Sequence, residues 1–223
     1  MPILYIVATP IGNLEDVSKR ALRALSEVDL ILCEDTRVTQ KLLNYFNIKT
    51  PTLSYHQHSK IKKINQIIEL LKRQKKLALV CDAGTPGISD PGNKLIEVIL
   101  KEFGDKIKIV PIPGPSAITA AASISGFSMD KFLFLGFLPQ KKKRKKFFKE
   151  IIDSKYPVIF FESPYKILKT LKELKEMNNN LEIVVCRELT KMFETIYRGK
   201  IGEVIEKIKR DKIKGEFVVI VNK

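Results

Sequence analysis

Short apolar runs alternate with helix-spaced stripes along the first half of the chain. Leu4–Val7, Leu30–Cys33, Thr52–Tyr55, Leu77–Cys81 and Ile107–Val110 are brief, rich in branched side chains and bounded by polar residues, as buried strands are. Between them, Ile64, Ile67, Ile68 and Leu71 recur at i, i+3, i+4 and i+7, which predicts a helix with one buried face. Val17, Ala21, Leu22 and Leu25 make a similar stripe behind Asp16, a residue suited to capping a helix. Repeated strand–helix alternation predicts a largely parallel sheet covered by helices on both faces.

After Pro111-Ile112-Pro113-Gly114-Pro115 the pattern restarts, with strands expected at Phe132–Leu135, Val158–Phe161, Ile183–Cys186, Phe193–Tyr197 and Phe217–Val221. A helix beginning near Ser163-Pro164 carries Ile167, Leu168, Leu171 and Leu174. The expectation is an α/β protein of two αβα domains with mostly parallel sheets: residues 1–112, a hinge at 113–116, and 117–223. Small-molecule sites favour domain interfaces, so a ligand cleft is expected between the halves.

Three strand ends carry unusual turns. Leu77–Cys81 stops at Asp82, and glycines and prolines then crowd Ala83-Gly84-Thr85-Pro86-Gly87-Ile88-Ser89-Asp90-Pro91-Gly92. The first strand runs into Ala8-Thr9-Pro10-Ile11-Gly12-Asn13, and a later one into Pro113-Gly114-Pro115-Ser116. Glycine lets backbone approach a ligand and proline stiffens the path. Ligands of open α/β sheets lie beyond the carboxyl ends of the strands. One such turn is as often a plain surface connection; three together point to a binding site.

Composition narrows the class. The 223 residues are 44% hydrophobic and 29% charged, as in a globular protein with a core, and no apolar run reaches the length of a membrane span. The N-terminal residues lack the basic segment of a signal peptide, so a cytoplasmic location is expected. Cys33, Cys81 and Cys186 end apolar runs without paired spacing and read as buried free thiols, neither disulfides nor a zinc site. Net charge is +15, and Lys141-Lys142-Lys143-Arg144-Lys145-Lys146 is the densest basic run. A polyanion such as RNA is the functional account of that excess; a lysine-rich surface is the plain one.

Glycine-rich dinucleotide and Walker sequences, a nucleophile elbow and a zinc-protease helix are all absent. His56 and His58 could share a face of an extended segment, but no further metal ligands accompany them, so no metal site is assigned. Polar residues do gather at expected strand ends: Glu34, Asp35 and Arg37; Glu162; and Arg187, Glu188 and Lys191. They are expected to converge on one rim. The plainer alternative for the first group is that Glu34 or Asp35 caps the next helix and Arg37 pairs with it.

The blocks Leu4–Leu14, Glu34-Asp35-Thr36-Arg37, Asp82-Ala83-Gly84-Thr85-Pro86, Asp90-Pro91-Gly92, Pro113-Gly114-Pro115 and Arg187-Glu188-Leu189-Thr190-Lys191 occur in this order. Together they resemble the ribosomal RNA 2′-O-methyltransferase branch of the tetrapyrrole methylase superfamily, from Leu4 to Val221. The resemblance implies S-adenosylmethionine as methyl donor, a cytidine ribose in the decoding region of 16S ribosomal RNA as acceptor, the small ribosomal subunit as partner, and a homodimer. It implies donor contacts at Pro10, Asp82, Ala83, Gly84, Thr85, Ile88, Ser116, Ala117, Phe161 and Leu189, in the cleft between the domains. Asp82 could contact the donor by side chain or by backbone. Position 116 is Ser where some relatives have Cys. Many relatives extend in helices beyond the last strand, whereas this sequence ends at Lys223, which shifts the expected grip on RNA toward residues 141–146. For catalysis, Asp35 or Glu188 is expected to take or orient the ribose proton, with Arg37 and Lys191 holding phosphate. Two other readings stand beside this one: a methyltransferase of the same fold with a small-molecule acceptor, and a non-catalytic RNA-binding assembly protein.

Overall fold

Five parallel strands form the sheet of the first half: β1 (Ile3–Val7), β2 (Leu30–Cys33), β3 (Thr52–Ser54), β4 (Lys76–Leu79) and β5 (Lys108–Ile112), in the order β3-β2-β4-β1-β5. The computed structural model describes residues 1–56, 61–90, 92–139 and 144–223, in two units, Met1–Ser116 and Ala117–Lys223. The run at 141–143, His58 and Pro91 lie outside the described residues.

Four helices cover this first sheet: α1 (Lys19–Glu27), α2 (Thr36–Tyr45), α3 (Ile61–Lys72) and α4 (Asn93–Phe103). Right-handed crossovers decide their faces. The chain steps from β1 to β2 to β3 in one direction, which puts α1 and α2 together; it returns through β4 to β5, which puts α3 and α4 on the other side. The core divides accordingly. Ala21, Leu25 and Leu43 pack with Ile31, Ala78 and Ile112, while Ile67, Leu71, Leu95 and Ile99 pack with Leu4, Leu32, Leu77 and Leu79. Alternate residues of each strand thus serve opposite faces.

One expected cap moves. Ser18, not Asp16, caps α1, its hydroxyl accepting from the Ala21 N–H at 3.0 Å; Asp16 closes a single 3-10 turn before it. A serine next to the first helical residue reaches the free N–H groups, which Asp16 cannot.

The second unit holds α5 (Ala117–Ser123), β6 (Leu133–Phe137), α6 (Arg144–Asp153), β7 (Val158–Glu162), α7 (Ile167–Met177), β8 (Glu182–Arg187), β9 (Thr195–Lys200), α8 (Ile201–Lys209) and β10 (Phe217–Asn222). Strand order is β6-β7-β10-β8-β9. Only β6 and β7 pair in parallel, so the expectation of a mostly parallel sheet is corrected here to a mixed one. The seven residues 188–194 are too few for a parallel crossover, so β9 turns back along β8, and β10 enters antiparallel between β7 and β8. Reversing both step and strand direction keeps every right-handed crossover on one face, where α6, α7 and α8 bury Phe160, Ile183, Val185 and Val219.

Candidate functional site

In the first unit, β4 is flanked by β1 and β2, whose chains leave toward α1 and α2, whereas the chain leaving β4 goes to α4 on the other face. Loops parting to opposite faces open a crevice at the carboxyl ends of the strands. On the β1 side the crevice is stitched shut by backbone. Thr9 and Gly84 exchange N–H···O bonds of 2.9 and 3.1 Å, and the Thr9 hydroxyl donates to the Cys81 carbonyl at 3.1 Å. Gly84 has φ +83°, a conformation that L side chains rarely adopt, and this lets the turn double back onto Thr9. Thr85 donates to the Pro115 carbonyl at 3.4 Å, and a β-carbon on Gly114 would stand 3.1 Å from that of Ala8. The three glycine- and proline-bearing turns are therefore one fastened structure. It brings Pro10, Ala83, Gly84 and Thr85 together, with Ile88 exposed beside Thr85 and Ser116 following Pro115.

On the β2 side a cavity of about 550 Å³ remains, lined by Glu34, Asp35, Thr36, Arg37, Ser54, His56 and Asp82. The Asp82 carboxylate accepts from the Asp35 N–H at 3.1 Å, tying the loop after β4 to the start of α2. Asp35 caps α2 by accepting from the Arg37 N–H at 2.8 Å, and the Arg37 guanidinium grips the same carboxylate at 2.6 to 3.2 Å. Those bonds hold the Asp35 carboxyl down at about 2. Its neighbour is driven the other way. Partial burial, then the negative charges of Asp82 and Asp90, raise the Glu34 carboxyl above the usual range, with His56 opposing and Asp35 adding to the rise. Asp90 is raised as well, chiefly by burial, and the Cys81 thiol is pushed up by burial and by Asp90. Negative charge is thus concentrated in one recess of a chain whose net charge is +15.

In the second unit, Glu188 accepts from the Lys191 ammonium at 2.9 Å and from the Glu216 N–H at 2.9 Å, and Lys191 also reaches Glu216 at 2.9 Å. Burial works to raise the Glu188 carboxyl, but Lys191 and the Glu216 N–H leave it lowered; Lys191 is raised in turn despite burial. Glu162 and Arg187 stand on no rim. Glu162 is buried, accepting from the Thr170 hydroxyl at 2.6 Å and the Ser163 N–H at 2.7 Å, and Arg187 is buried against Asp211 and the Lys214 carbonyl at 3.0 Å each. Phe161 lies at the end of β7 with its ring 5.1 Å from those of Phe134 and Phe137; Leu189 is buried just past β8, and Ala117 begins α5.

Sequence reasoning placed Glu34 among candidate polar groups without assigning it a role, and left Asp90 and Ser54 aside. Their signal was position: Ser54 ends β3, Glu34 follows β2 and Asp90 lies in the loop after β4, but only the order β3-β2-β4 makes them neighbours. Within the basic run, Arg144 is already engaged by Glu173 at 2.6 Å, Thr170 at 2.8 Å and the Phe148 ring at 4.8 Å. All three cysteines are buried free thiols, and no cluster of metal ligands occurs among the described residues.

Comparison with known proteins gives this geometry a family context. The model of the Tetrapyrrole (Corrin/Porphyrin) Methylases matches residues 3–205. A Thermotoga maritima protein named ribosomal RNA small subunit methyltransferase I is 47% identical over 219 residues, 98% of this chain and 97% of its own. One of the same name from Bacillus subtilis is 45% identical, covering 99% of this chain and 75% of its own. Among solved structures, a cobalt precorrin-4 methyltransferase superposes with a TM-score of 0.73 at 18% identity, over 99% of this chain and 94% of its own. A diphthine synthase does so with 0.74 at 16%, over 99% and 90%. At such identities the likeness speaks for the fold.

Proposed function

The chain belongs to the tetrapyrrole (corrin/porphyrin) methylase family, and from that premise we propose that it is an S-adenosylmethionine-dependent methyltransferase acting on the ribose 2′-hydroxyl of a cytidine in small-subunit ribosomal RNA. The observation that carries this reading is the acid-edged recess beside locked turns in a strongly basic chain. Glu34, Asp35 and Asp82 line that recess and suit a compact cationic ligand, while the remaining positive surface suits a polyanion. The residues present therefore fit the donor.

When bound, S-adenosylmethionine supplies a methyl group on a positively charged sulfur. Pro10, Asp82, Ala83, Gly84, Thr85, Ile88 and Ser116 would hold it in the first unit, with Ala117, Phe161 and Leu189 as the second unit's contacts. The locked turns keep their backbone groups in place before the ligand arrives, so orientation contributes without further ordering. A ribose hydroxyl becomes a good nucleophile only as its proton leaves, and general-base help is worth about 10²–10⁴-fold. Asp35 and Glu188 are already held by Arg37 and Lys191, which suits them to orienting and makes them weak bases. Glu34 has the more basic carboxyl and lines the same recess, so it is the proton acceptor in this reading. Arg37 and Lys191 remain the assigned phosphate contacts, each sharing its charge with a carboxylate.

The finer proposal is a homodimer that acts on the assembled small subunit in the cytoplasm. Among the described residues no helix is long and apolar enough to cross a membrane. The test is transfer of radiolabelled methyl to small ribosomal subunits lacking the modification, with purified RNA in parallel. Label on a single cytidine ribose supports the proposal, and label with subunits alone supports the assembled particle as substrate. Donor binding without transfer to either would redirect the search to a small-molecule acceptor.

A further inference from the structure

The register of the second sheet draws several strand ends onto one line. Phe137 lies opposite Phe161, Glu162 opposite Phe217, Phe217 opposite Arg187, and Arg187 opposite Thr195. Because β6, β7 and β8 run the same way, the segments following all three emerge along a single edge. Along it stand Phe137, Tyr165, Met192 and Phe193, which are 63%, 95%, 90% and 66% exposed. Large apolar side chains stand this far into water singly on many surfaces, but four along one edge make a feature.

The backbone beneath two of them is firmly held. Glu188 and Thr190 take φ values of 52° and 65°, unusual for residues with side chains. Hydrogen bonds fasten the loop: Lys191 N–H to the Glu188 carbonyl at 3.0 Å, Glu194 N–H to the Lys191 carbonyl at 3.0 Å, and Thr190 N–H to the Glu194 carboxylate at 2.6 Å. Met192 and Phe193 are thus presented outward by an ordered turn, which lowers the entropic cost of a partner settling on them. Tyr165 stands in the tight turn ahead of α7, where the Ser163 carbonyl accepts from the Lys166 and Ile167 N–H groups at 3.1 Å. Charge points to the class of partner. The half of the chain from residue 116 carries 23 Lys and Arg against 13 Asp and Glu, a net +10; beside this edge, exposed Lys212 and Lys214, just before β10, stand with Glu216, which is paired with Lys191, and with Glu194, which accepts from the Thr190 N–H.

We propose that this edge is a stacking platform for unpaired RNA bases, with Tyr165 and Phe193 as its two rings, Met192 and Phe137 as apolar flanks, and lysines neutralising the backbone. Single-stranded nucleic acid is bound in this way, by aromatic faces that accept any base within a positive groove. The edge spans four strand spacings, roughly 19 Å at ~4.8 Å each. That corresponds to about five to six stacked nucleotides at ~3.4 Å apiece. The inference deepens the proposed function and rests on RNA being the acceptor: the platform would splay out nucleotides flanking the target.

The test uses the full chain and a single-stranded RNA of decoding-region sequence carrying 2-aminopurine, whose fluorescence reports stacking. Tyr165→Ala and Phe193→Ala are expected to weaken binding about tenfold each and to abolish the fluorescence change. Tyr165→Phe, which keeps the ring, should bind as the parent does, and donor affinity should hold in every variant. Unchanged RNA affinity in both alanine variants overturns the platform. So does a loss of RNA binding that accompanies a shift in sedimentation, which would make the edge a contact between copies of the chain. Platform and function fail separately: methyl transfer by the parent protein with normal RNA affinity in the variants removes only the platform. Fluorescence changes without any transfer to ribosomal RNA would leave an RNA-binding edge on an enzyme with another acceptor.

Discussion

Glu34 and Asp35 are adjacent carboxylates with opposite acid chemistry, and each has a distinct expected consequence. Glu34 has its carboxyl raised by burial and by Asp82 and Asp90. The rate of transfer should therefore rise with pH through a value above the ordinary glutamate range near ~4.3. Glu34→Gln should lose about 10²- to 10⁴-fold in turnover and the acidic limb with it. A raised carboxyl favours the folded protein below its unfolded value, and that contribution is lost as pH climbs through the folded value. The same substitution should thus raise the melting temperature at neutral pH, as calorimetry can check. Asp35 has the reverse sign. Held at about 2 by Arg37, it contributes stability that is complete above ~3.9 and disappears as pH falls toward 2. Asp35→Asn keeps a capping oxygen and Asp35→Ala does not, so the alanine variant should melt lower. Near-normal turnover of Asp35→Asn at saturating RNA would remove Asp35 as the base. Both carboxylates were legible as candidates in the sequence. Which one is basic was not, because Asp82 and Asp90 lie about fifty residues away along the chain.

At the scale of elements, the turns are the most legible feature, since glycine and proline announce backbone needs locally. Gly84 at φ +83° leaves space for a β-carbon, which would sit 3.5 Å from Ile11 Cγ2, so alanine there meets backbone strain and no clash. Gly84→Ala should cost about 1–2 kcal/mol of stability in a denaturant melt and weaken donor binding. Gly114→Ala faces the opposite limit, an ordinary backbone but a β-carbon 3.1 Å from that of Ala8. Calorimetric titration of both against the donor would separate strain in one turn from spreading of two. Strand positions were also readable, with one instructive shift. Phe193 was expected to open a strand, yet β9 begins at Thr195 and Phe193 stands in water. Its apolar side chain looked like core because a sequence pattern registers hydrophobicity and not which side of a turn a residue leaves from. The cap at Ser18 in place of Asp16 reflects the same limit of one or two residues at a helix start.

For the whole molecule, a net charge of +15 predicts strongly salt-dependent association with RNA. Affinity measured from 50 to 200 mM salt should fall about tenfold or more, while donor affinity, set inside an acid-edged recess, should move little. Equal sensitivity of the two would place RNA phosphate and donor in one electrostatic environment. The sequence by itself determined two successive α/β patterns, the strand and helix segments within them, the three turns at strand ends and the excess of positive charge. All of these follow from periodicity, turn chemistry and counting, which act over a few residues. Only the tertiary structure decided that β10 enters antiparallel between β7 and β8, that Arg144 and Arg187 are committed to structural contacts, and that Glu34 rather than Asp35 has the basic carboxylate. Pairing and desolvation depend on what lies within a few ångströms in space, and for those residues the deciding neighbours arrive from distant parts of the chain.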